Sequence, residues 1–304
     1  MAKPDLSIII VSHNTKKITQ NCLESIIKSV KNLSCQVIVV DNGSKDGTSE
    51  NIKYQISNIK TTYQKSNISI KLHENTHNLG FGKANNQGLK LAQSDYILFL
   101  NSDIVVLDNS IEKLYDFYRN NEKKMQFLGG KLLNQDMTPQ PSCGPAYSLP
   151  MVAAHLFLRG DYWGLTRYSP DSLKQVDWVS GACILTKKEY LEKIGGFDEN
   201  IFMYMDEIDL LHRAKKQGYH IFFYPEAKFI HLGSASSSSR KYPIIHVFNG
   251  LIYFYNKHHS KLDQFLLKIM LKLKASIGLI LGYIFNNSYL KETYAKAFKL
   301  VKLV

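Results

Sequence analysis

Residues that could bind a metal or a phosphate follow an apolar run in the middle of the chain. The run Tyr96-Ile-Leu-Phe-Leu100 is followed directly by Asn101-Ser-Asp103. A short continuous apolar run is typical of a buried parallel strand, and ligands of open α/β sheets bind beyond the carboxyl ends of such strands. The pattern therefore predicts that Asp103 lies at a metal or phosphate site. The alternative is a turn that caps a helix beginning near Asp108, since Asn, Ser and Asp also dominate turns and caps.

Polar clusters also follow two apolar runs near the N-terminus. Ser12-His-Asn-Thr15 comes directly after Ser7–Val11, and Asp41-Asn-Gly-Ser44 comes directly after Gln36–Val40. An Asp after the second strand of such a fold can accept hydrogen bonds from a ribose hydroxyl or a base N–H. These positions predict a nucleotide site. The alternative is a glycine-rich turn in which Asp41 is only a cap.

A third group of polar residues lies in the second half of the chain. Asp206, Asp209 and Arg213 recur at helical spacing and predict one stripe of a helix, with Glu207 facing elsewhere in its first turn. Acidic residues stabilise a helix N-terminus, so capping is an alternative to a catalytic role. His231 ends a further apolar strand, where a lone histidine is more often structural or exposed.

The elements that would position these clusters alternate between strand and helix. Ile18, Cys22, Ile26 and Val30 recur every four residues between the first two strands and predict a helix with one apolar face. A third strand is predicted at about Ile68–His73, before the strand that ends at the central polar cluster. This order predicts an α/β fold with a doubly wound, mostly parallel sheet.

The composition limits the class of protein. The 304 residues, 44% hydrophobic and 21% charged, suffice for one large catalytic domain with an appendage. The net charge of +12 is concentrated after residue 239, where 11 Lys and Arg face two acidic residues, which disfavours nucleic-acid binding by the body of the protein. The four cysteines lack the paired spacing of a zinc site and the N-terminus lacks an apolar signal segment, so a cytoplasmic location is predicted.

The C-terminal segment has the pattern of a basic amphipathic helix. Its predicted apolar face consists of Leu262, Phe265, Leu266, Ile269 and Leu273, and Lys261, Lys268 and Lys272 lie close together on another face. Such a helix can lie in a membrane interface, here the inner face of the cell membrane. The alternative is that it packs on the catalytic domain or on a second subunit as part of a homo-oligomer.

Together these segments resemble glycosyltransferase family 2, the inverting enzymes with the A-type nucleotide-sugar fold (GT-A), over about residues 5–255. Asn101 stands where the family's metal motif has its first carboxylate, as in rhamnosyltransferase-like members. The resemblance implies a GT-A catalytic domain at residues 1–255, with a nucleotide-binding half at 1–130 and an acceptor half at 131–255. A basic amphipathic helical tail at 256–304 completes the predicted organisation.

The resemblance also implies roles for the donor-side residues. Asp41 is expected to bind the base, and Asp103 with His231 to hold Mg²⁺ or Mn²⁺. The implied nucleotide-binding residues are Ser12, Asn14, Asp41, Asn42, Ser44, Asn78, Gly80, Asn86, Asn101 and Ser102.

On the acceptor side, the pair Asp206-Glu207 resembles the acidic pair whose second member is usually the catalytic base. Glu207 is therefore the expected base, with Asp206 as the fallback. Trp178, Gly181 and Asp209 are the expected acceptor-binding residues, although a buried role is commoner for a tryptophan such as Trp178.

The implied activity is transfer of a sugar from a nucleotide-diphosphate donor, dTDP-rhamnose or else a UDP-sugar, to a glycan or lipid-linked glycan acceptor in surface polysaccharide synthesis. Two alternatives stay open. One is a nucleotide-sugar-binding protein with impaired catalysis, because Asn101 replaces a carboxylate. The other is a nucleotidyltransferase on a related fold, which would need a basic, glycine-rich loop that Ser12-His-Asn-Thr15 does not provide.

Overall fold

The computed structural model describes residues 3–62, 67–233 and 243–302, and its centre is a ten-stranded mixed sheet. The strands are β1 (Leu6–Ser12), β2 (Cys35–Asp41), β3 (Ile68–Glu74), β4 (Tyr96–Leu100), β5 (Ile104–Val106), β6 (Phe127–Leu133), β7 (Pro139–Gln140), β8 (Cys143–Gly144), β9 (Lys174–Val176), β10 (Trp178–Val179), β11 (Cys183–Lys187) and β12 (Ile221–His231). Strands β8 and β10 pair with each other outside the main sheet.

The main sheet changes its direction of growth between β1 and β4. Its order is β3-β2-β1-β4-β11-β6-β12-β5, so β2 and β3 lie on one side of β1 and β4 on the other. Strands β1 to β4 are mutually parallel, and β6 pairs in parallel with β12, while β11 runs antiparallel between β4 and β6. A change of direction of this kind opens a crevice beyond the carboxyl ends of the strands. The predicted doubly wound, mostly parallel sheet is confirmed.

Helices cover both faces of this sheet. They are α1 (Lys16–Ser29), α2 (Thr48–Thr62), α3 (Phe81–Leu91), α4 (Ser110–Asn121), α5 (Leu149–Phe157), α6 (Lys188–Lys193), α7 (Asp206–Lys216), α8 (Pro243–His258), α9 (Lys261–Ile284) and α10 (Ser288–Leu300). Among the residues that the structure describes, no helix combines the length and the apolar character that crossing a membrane requires.

Successive side chains of β1 belong alternately to two buried clusters, one on each face of the sheet. Ile8 and Ile10 belong to the buried cluster that contains Ile26 of α1, whereas Ile9 belongs to the cluster that contains Ala84 of α3. Successive side chains of a strand point to opposite faces, so a strand covered on both sides must be apolar throughout. This explains why β1 and β2 appear in the sequence as uninterrupted apolar runs.

Helix α3 begins earlier than expected. The sequence predicts a loop over residues 78–86, but the helix starts at Phe81, and Asn86 lies within it. The loop therefore ends at Gly80, which lies at the N-cap with φ +90°. Only glycine adopts this conformation readily.

The C-terminal helices pack on the rest of the protein and share its hydrophobic core. The predicted boundary at residue 255 falls inside α8, where Phe254 and Tyr255 are buried in the main core. Helix α9 packs on α5, α8 and α10 through its buried face, which includes Leu267 and Leu271. The helical layer thus continues the hydrophobic core that begins at the sheet.

Candidate active site

The loops that follow β1 and β2 are tied together at the carboxyl edge of the sheet. The Asn14 backbone N–H donates to Ser44 Oγ at 2.8 Å, and Asn14 Oδ1 accepts from the Lys45 backbone N–H at 2.8 Å. Asn14 has φ +53°, and both Asn14 and Lys45 are exposed. The structure therefore brings Asn14 and Ser44 together at one open corner of the predicted nucleotide site.

Ser12 lies beneath this corner instead of lining it. Its side chain is buried, and its hydroxyl shares hydrogen bonds of 2.9 Å with the hydroxyls of Thr15 and Thr19. The Ser12 hydroxyl thus points into the start of α1, and its predicted nucleotide contact stays a prediction.

Asp41 is buried at the end of β2 and accepts hydrogen bonds from two serines. The Ser44 hydroxyl donates to one carboxylate oxygen, and Ser49 Oγ donates to the other at 2.5 Å. These bonds hold the turn after β2 closed over the carboxylate. A nucleoside that bonds to Asp41 therefore meets a carboxylate whose two oxygens each already accept from a serine hydroxyl.

Asn42 organises the next loop and has no group left for a ligand. Its Nδ2 donates to Asn78 Oδ1 at 2.8 Å and to the Gly80 carbonyl at 3.2 Å. Its Oδ1 accepts from Asn75 Nδ2 at 3.1 Å and from the Leu79 backbone N–H at 3.0 Å. Asn42 thus fixes the segment that leads to α3, and its predicted nucleotide contact stays a prediction.

Gly80 allows two backbones to meet. A Cβ at this position would lie 2.6 Å from the Phe202 carbonyl oxygen, which accepts from the Phe81 N–H at 3.0 Å. The start of α3 is thereby joined to the segment that leads into α7. Gly80 shapes the site through its backbone.

Asn86 is also a structural residue. Its Oδ1 accepts from the Phe197 backbone N–H at 2.9 Å, and its Nδ2 donates to the Phe197 carbonyl at 2.9 Å and to Glu199 Oε1 at 3.2 Å. The side chain therefore faces the turn after α6. The predicted nucleotide contact of Asn86 stays a prediction.

The residues after β4 meet the end of β12 at the predicted metal site. His231 Nε2 lies 3.3 Å from Asp103 Oδ1 and 3.4 Å from Asn101 Nδ2. Ser102 and Asp103 are buried, and β5 pairs with β12 so that His231 stands opposite Ile104. The sheet itself therefore brings residues 101–103 and His231 together.

Gln140 orients His231 and was missed by the sequence interpretation. Its Oε1 lies 2.6 Å from His231 Nδ1, and its Nε2 donates to Asn134 Oδ1 at 3.0 Å. An amide oxygen can only accept, so His231 Nδ1 is the donor in this contact, and in the neutral ring Nε2 then has the lone pair. This is the arrangement of a metal-binding histidine with an outer hydrogen-bond partner.

The side-chain atoms of Asn101, Asp103 and His231 are of the types that a hard divalent cation binds. Asn101 Oδ1 is buried and has no hydrogen-bond partner among the described residues. With Asp103 and His231 Nε2 it offers two oxygens and one nitrogen, a set that Mg²⁺ or Mn²⁺ accepts. Within the described part of the chain, no group of three or more His, Cys, Asp and Glu residues could hold a metal ion.

The acidic pair begins α7 at a strained backbone. Tyr204 and Met205, directly before the helix, have φ +63° and +70°. Non-glycine residues rarely adopt this conformation, and it persists where the surroundings enforce it. It aims the first turn of α7, with Asp206 and Glu207, at the convergence of α3 and the β10–β11 turn.

Asp206 lies on the inner side of this convergence. It is buried, and its Oδ1 has no hydrogen-bond partner among the described residues. Burial and the adjacent Glu207 carboxylate raise the pKa of Asp206 well above its ordinary value, although the Gly82 backbone N–H opposes this. Burial and the Glu207 carboxylate therefore both disfavour the charged form of Asp206.

Glu207 lies on the outer side and is only half-buried. A Cβ added at Gly181 would lie 3.5 Å from Glu207 Cβ, so the carboxylate side chain runs along the β10–β11 turn. Burial raises the pKa of Glu207, and the Arg167 guanidinium and the Gly181 backbone N–H oppose the shift. Arg167, which the sequence interpretation did not identify, is thus a cationic neighbour of the predicted base.

Trp178 and Asp209 do not offer their side chains to an acceptor. Trp178 is buried, donates from Nε1 to the Pro145 carbonyl at 2.9 Å, and packs under Arg167. Asp209 is buried and accepts from Arg213 at 2.7 Å and from Lys257 at 2.8 Å. In this structure these side chains hold α7 against the surrounding elements, and the predicted acceptor contacts of Trp178 and Asp209 stay predictions.

A cavity lies farther along α7. It has a volume of about 240 Å³ and is bounded by Ile208, His212 and Lys216 of α7, Phe254 of α8, and Trp178. Its walls are mostly apolar. It is separate from the residues that the sequence assigned to the donor.

The fold and the site together define a class of protein. The chain is a doubly wound α/β protein with polar loops at the switch point of its sheet and an acidic pair facing them. This is the architecture of the A-type nucleotide-sugar transferases. Residues 7–137 match the family model described as glycosyl transferase family 2. The predicted resemblance to glycosyl transferase family 2 is therefore confirmed over these residues.

Relatives agree with a rhamnosyltransferase-like member. The N-acetylglucosaminyl-diphospho-decaprenol L-rhamnosyltransferase of Mycobacterium tuberculosis is 28% identical over 203 residues, which cover 64% of this chain and 66% of the relative. The rhamnosyltransferase WbbL of Escherichia coli is 27% identical over 162 residues, covering 50% of this chain and 60% of the relative. The chain thus spans about two thirds or less of the length of these relatives.

A solved structure shows the same fold. The mannosyltransferase PcManGT from Pyrobaculum calidifontis, in complex with GDP-Man and Mn²⁺, matches with a TM-score of 0.59 at 13% identity, covering 99% of this chain and 87% of that chain. The predicted GT-A fold with C-terminal helices is therefore confirmed.

Proposed function

We propose that this protein is a metal-dependent inverting glycosyltransferase in surface polysaccharide synthesis. Its donor is a nucleotide-diphosphate sugar, with dTDP-rhamnose the first candidate and a UDP-sugar the second. Its acceptor is a glycan or lipid-linked glycan, met at the inner face of the cell membrane. The observation that carries the proposal is the joint presence of the Asn101–Asp103–His231 group at the switch point and the acidic pair at the start of α7.

Donor binding is assigned to the loops after β1, β2 and β4. Asn14 and Ser44 form the open corner of the nucleotide site, and Asp41 is proposed to meet the base after one serine hydroxyl yields its place. Asn101, Asp103 and His231 would hold Mg²⁺ or Mn²⁺, which when bound neutralises negative charge on the departing diphosphate. Gln140 keeps His231 in the tautomer that this role requires.

Glu207 is proposed as the base. An acceptor hydroxyl is a weak nucleophile until a carboxylate takes its proton. As Glu207 takes that proton, the acceptor oxygen bonds to the anomeric carbon while the bond from that carbon to the diphosphate oxygen breaks, which inverts the centre. Gly181 leaves room beside the Glu207 side chain for an incoming acceptor.

The domain organisation belongs to the same proposal. The donor is assigned to residues 1–130 and the acceptor to residues 131–255, with α9 and α10 as the helical tail.

Thermal stabilisation by nucleotides tests the donor site, because a ligand that binds only the folded protein raises its melting temperature. The purified chain is heated with UDP, dTDP, GDP or CMP, each with and without Mn²⁺. A shift with dTDP or UDP that grows with Mn²⁺ is expected. A nucleotidyltransferase would instead bind CTP or dTTP and release pyrophosphate, and no shift with any nucleoside diphosphate would overturn the assignment.

Asn101 favours a second candidate, a nucleotide-sugar-binding protein without transfer activity. The amide cannot supply the negative charge of the usual first carboxylate. Nucleotide-dependent stabilisation without sugar transfer to any polyprenyl-linked acceptor would select this candidate. Asn101→Asp would then be expected to increase metal affinity.

A further inference from the structure

The exposed face of α9 is unusually apolar. Its exposed or largely exposed side chains recur at intervals of three or four residues along the whole helix: Leu262, Phe265, Leu266, Ile269, Leu273, Ile277, Ile280 and Ile284. We refer to these eight side chains as the α9 stripe. Ile280 and Ile284 are 57% and 67% exposed. A helix of 24 residues is about 36 Å long, so the stripe is continuous over that distance.

The α9 stripe is opposite the face that packs on the protein. The buried residues of α9 are Gln264, Leu267, Leu271, Ala275, Gly278 and Gly282. At about 100° per residue, these positions are centred roughly 180° from the stripe. The helix is therefore apolar on two opposite sides, and its own fold uses only one of them. Soluble monomers rarely leave a continuous apolar surface of this size exposed.

Exposed aromatic residues lie close to one flank of α9. Lys274 Nζ donates to the Leu156 carbonyl at 2.6 Å, so the end of α5 is in contact with α9. The loop that follows α5 exposes Leu158, Tyr162 and Trp163, the last two at 76% and 68%. Tyrosine and tryptophan are enriched where an apolar phase meets water.

The charges beside the stripe favour an anionic partner. Between residues 261 and 302 the chain carries eight lysines and only two acidic residues, Asp263 and Glu292. Lys261, Lys268 and Lys272 follow the stripe along one flank. A second copy of this chain would bring the same positive charges to the same place, whereas anionic lipid head groups would neutralise them.

We infer that the α9 stripe, with the loop at 158–165, is a docking surface for an anionic lipid bilayer. The helix lies in the plane of the interface with its apolar side chains among the acyl chains and its lysines at head-group level. This rests on the proposed function in one respect: it supplies the place where a lipid-linked acceptor would be met. The binding itself needs neither donor nor acceptor.

Flotation of the full-length chain with vesicles tests the surface. Vesicles of phosphatidylglycerol mixed with phosphatidylcholine are compared with vesicles of phosphatidylcholine alone. The wild-type chain is expected to float with the anionic vesicles, and less so as salt concentration rises. The variant Leu273→Glu/Ile280→Glu is expected to bind about tenfold less or weaker still, because two carboxylates would enter the apolar layer.

Tyr54→Glu is the matched control. Tyr54 lies in α2 and is 66% exposed, so this variant places a carboxylate on an exposed apolar side chain of another element. It is expected to float as the wild type does. Equal flotation of the wild type and the double variant, or no flotation of the wild type, would overturn the inference.

Two further measurements separate the possible failures. If the stripe instead binds a second copy, light scattering without lipid would show a wild-type dimer that the double variant dissociates, and flotation would be absent. Stabilisation by nucleotide is measured on the same proteins. Retained stabilisation without flotation would reject the bilayer surface alone, whereas flotation without stabilisation would reject only the proposed transferase function.

Discussion

Asp206 and Glu207 are neighbours in sequence, yet their environments suit different roles. Asp206 is turned toward the Gly82 backbone at the inner side of the site, where burial raises its pKa strongly. Glu207 is half-buried beside Gly181 and has the Arg167 cation nearby. A base must reach a substrate and be ionised, and Glu207 meets both conditions better than Asp206.

Replacing Glu207 by Gln is expected to abolish sugar transfer and to leave nucleotide stabilisation almost unchanged. The amide keeps the shape of the side chain but cannot accept the acceptor's proton, and loss of a general base typically costs about 10²–10⁴-fold in rate. The measurement is the transfer rate beside the nucleotide-induced melting shift. Asp206→Asn is the comparison, and a larger rate loss in that variant would exchange the two roles.

The same pair sets the expected pH dependence of transfer. Because Glu207 works as the ionised form and burial raises its pKa above the ordinary 4.5, the rate is expected to fall with decreasing pH before an exposed glutamate would protonate. Two adjacent carboxylates titrate as a pair, so the fall of the transfer rate at acid pH reports on both groups together. The rate is measured from neutral to acid pH, and a limb at or below the ordinary value would contradict the assignment.

Gln140 is expected to control metal affinity through His231. In Gln140→Leu, His231 Nδ1 loses its acceptor, the favourable tautomer is no longer fixed, and Mn²⁺ affinity should fall about 10–100-fold. Gln140→Glu keeps an oxygen at the same place and should retain the affinity. Mn²⁺ is titrated in the presence of nucleoside diphosphate, and unchanged affinity in the leucine variant would remove Gln140 from the site.

Asp103 was predictable from sequence whereas Gln140 was not. Asp103 directly follows an apolar strand, so a local pattern is enough to place it at the sheet edge. Gln140 is 91 residues from His231, and the contact forms only because β6 pairs with both β7 and β12. No local pattern encodes that pairing.

At the scale of elements, the apolar runs predicted β1, β2 and β4, but the packing decided the helix boundaries. The loop over residues 78–86 was expected from the family resemblance, and Gly80 and Gly82 lower helix propensity in the same segment. The contact of the Phe81 N–H with the Phe202 carbonyl nevertheless starts α3 at Phe81. Tertiary contacts with a distant segment outweighed a local preference of about 1 kcal/mol per glycine.

The interface of α7 with α8 is expected to make stability depend on pH. Burial, together with the nearby His258, Lys216 and His259, lowers the pKa of His212 from 6.5 to about 4, and Asp209 opposes the shift. Below pH 6.5 the unfolded chain binds a proton that the folded chain does not. Stability from this residue is therefore present at neutral pH and is lost as the pH falls toward 4.

His212→Phe should reduce this acid sensitivity. A difference of one bound proton between the unfolded and folded states changes the free energy of unfolding by about 1.4 kcal/mol per pH unit. The free energy of unfolding of the wild type should therefore fall more steeply than that of the variant between pH 6.5 and 4. The free energy is measured by urea unfolding at several pH values. His220→Phe, at an exposed histidine, is the control, and parallel curves for the wild type and His212→Phe would exclude this origin.

At the scale of the whole molecule, the tail and the sheet share one hydrophobic core. Tyr255 of α8 and Leu271 of α9 belong to the same buried cluster as Ile9 of β1. Sequence alone separated the tail from the body because its charge and its amphipathic pattern differ from those of the first 239 residues. An amphipathic pattern identifies an apolar face but not what covers it, and α9 has one face covered by the protein and one exposed.

Two leucines of α9 test this shared core within a single helix. Leu271 is fully buried, whereas Leu273 is 53% exposed. Leu271→Ala should lower the free energy of unfolding by about 2–5 kcal/mol, because it removes buried contacts and leaves a cavity. Leu273→Ala should change it by less than about 0.5 kcal/mol. Urea unfolding is followed by tryptophan fluorescence, and Trp178 reports the acceptor half. If the tail folded independently, Leu271→Ala would leave the fluorescence transition in place, whereas a shared core requires that transition to move to lower urea concentration.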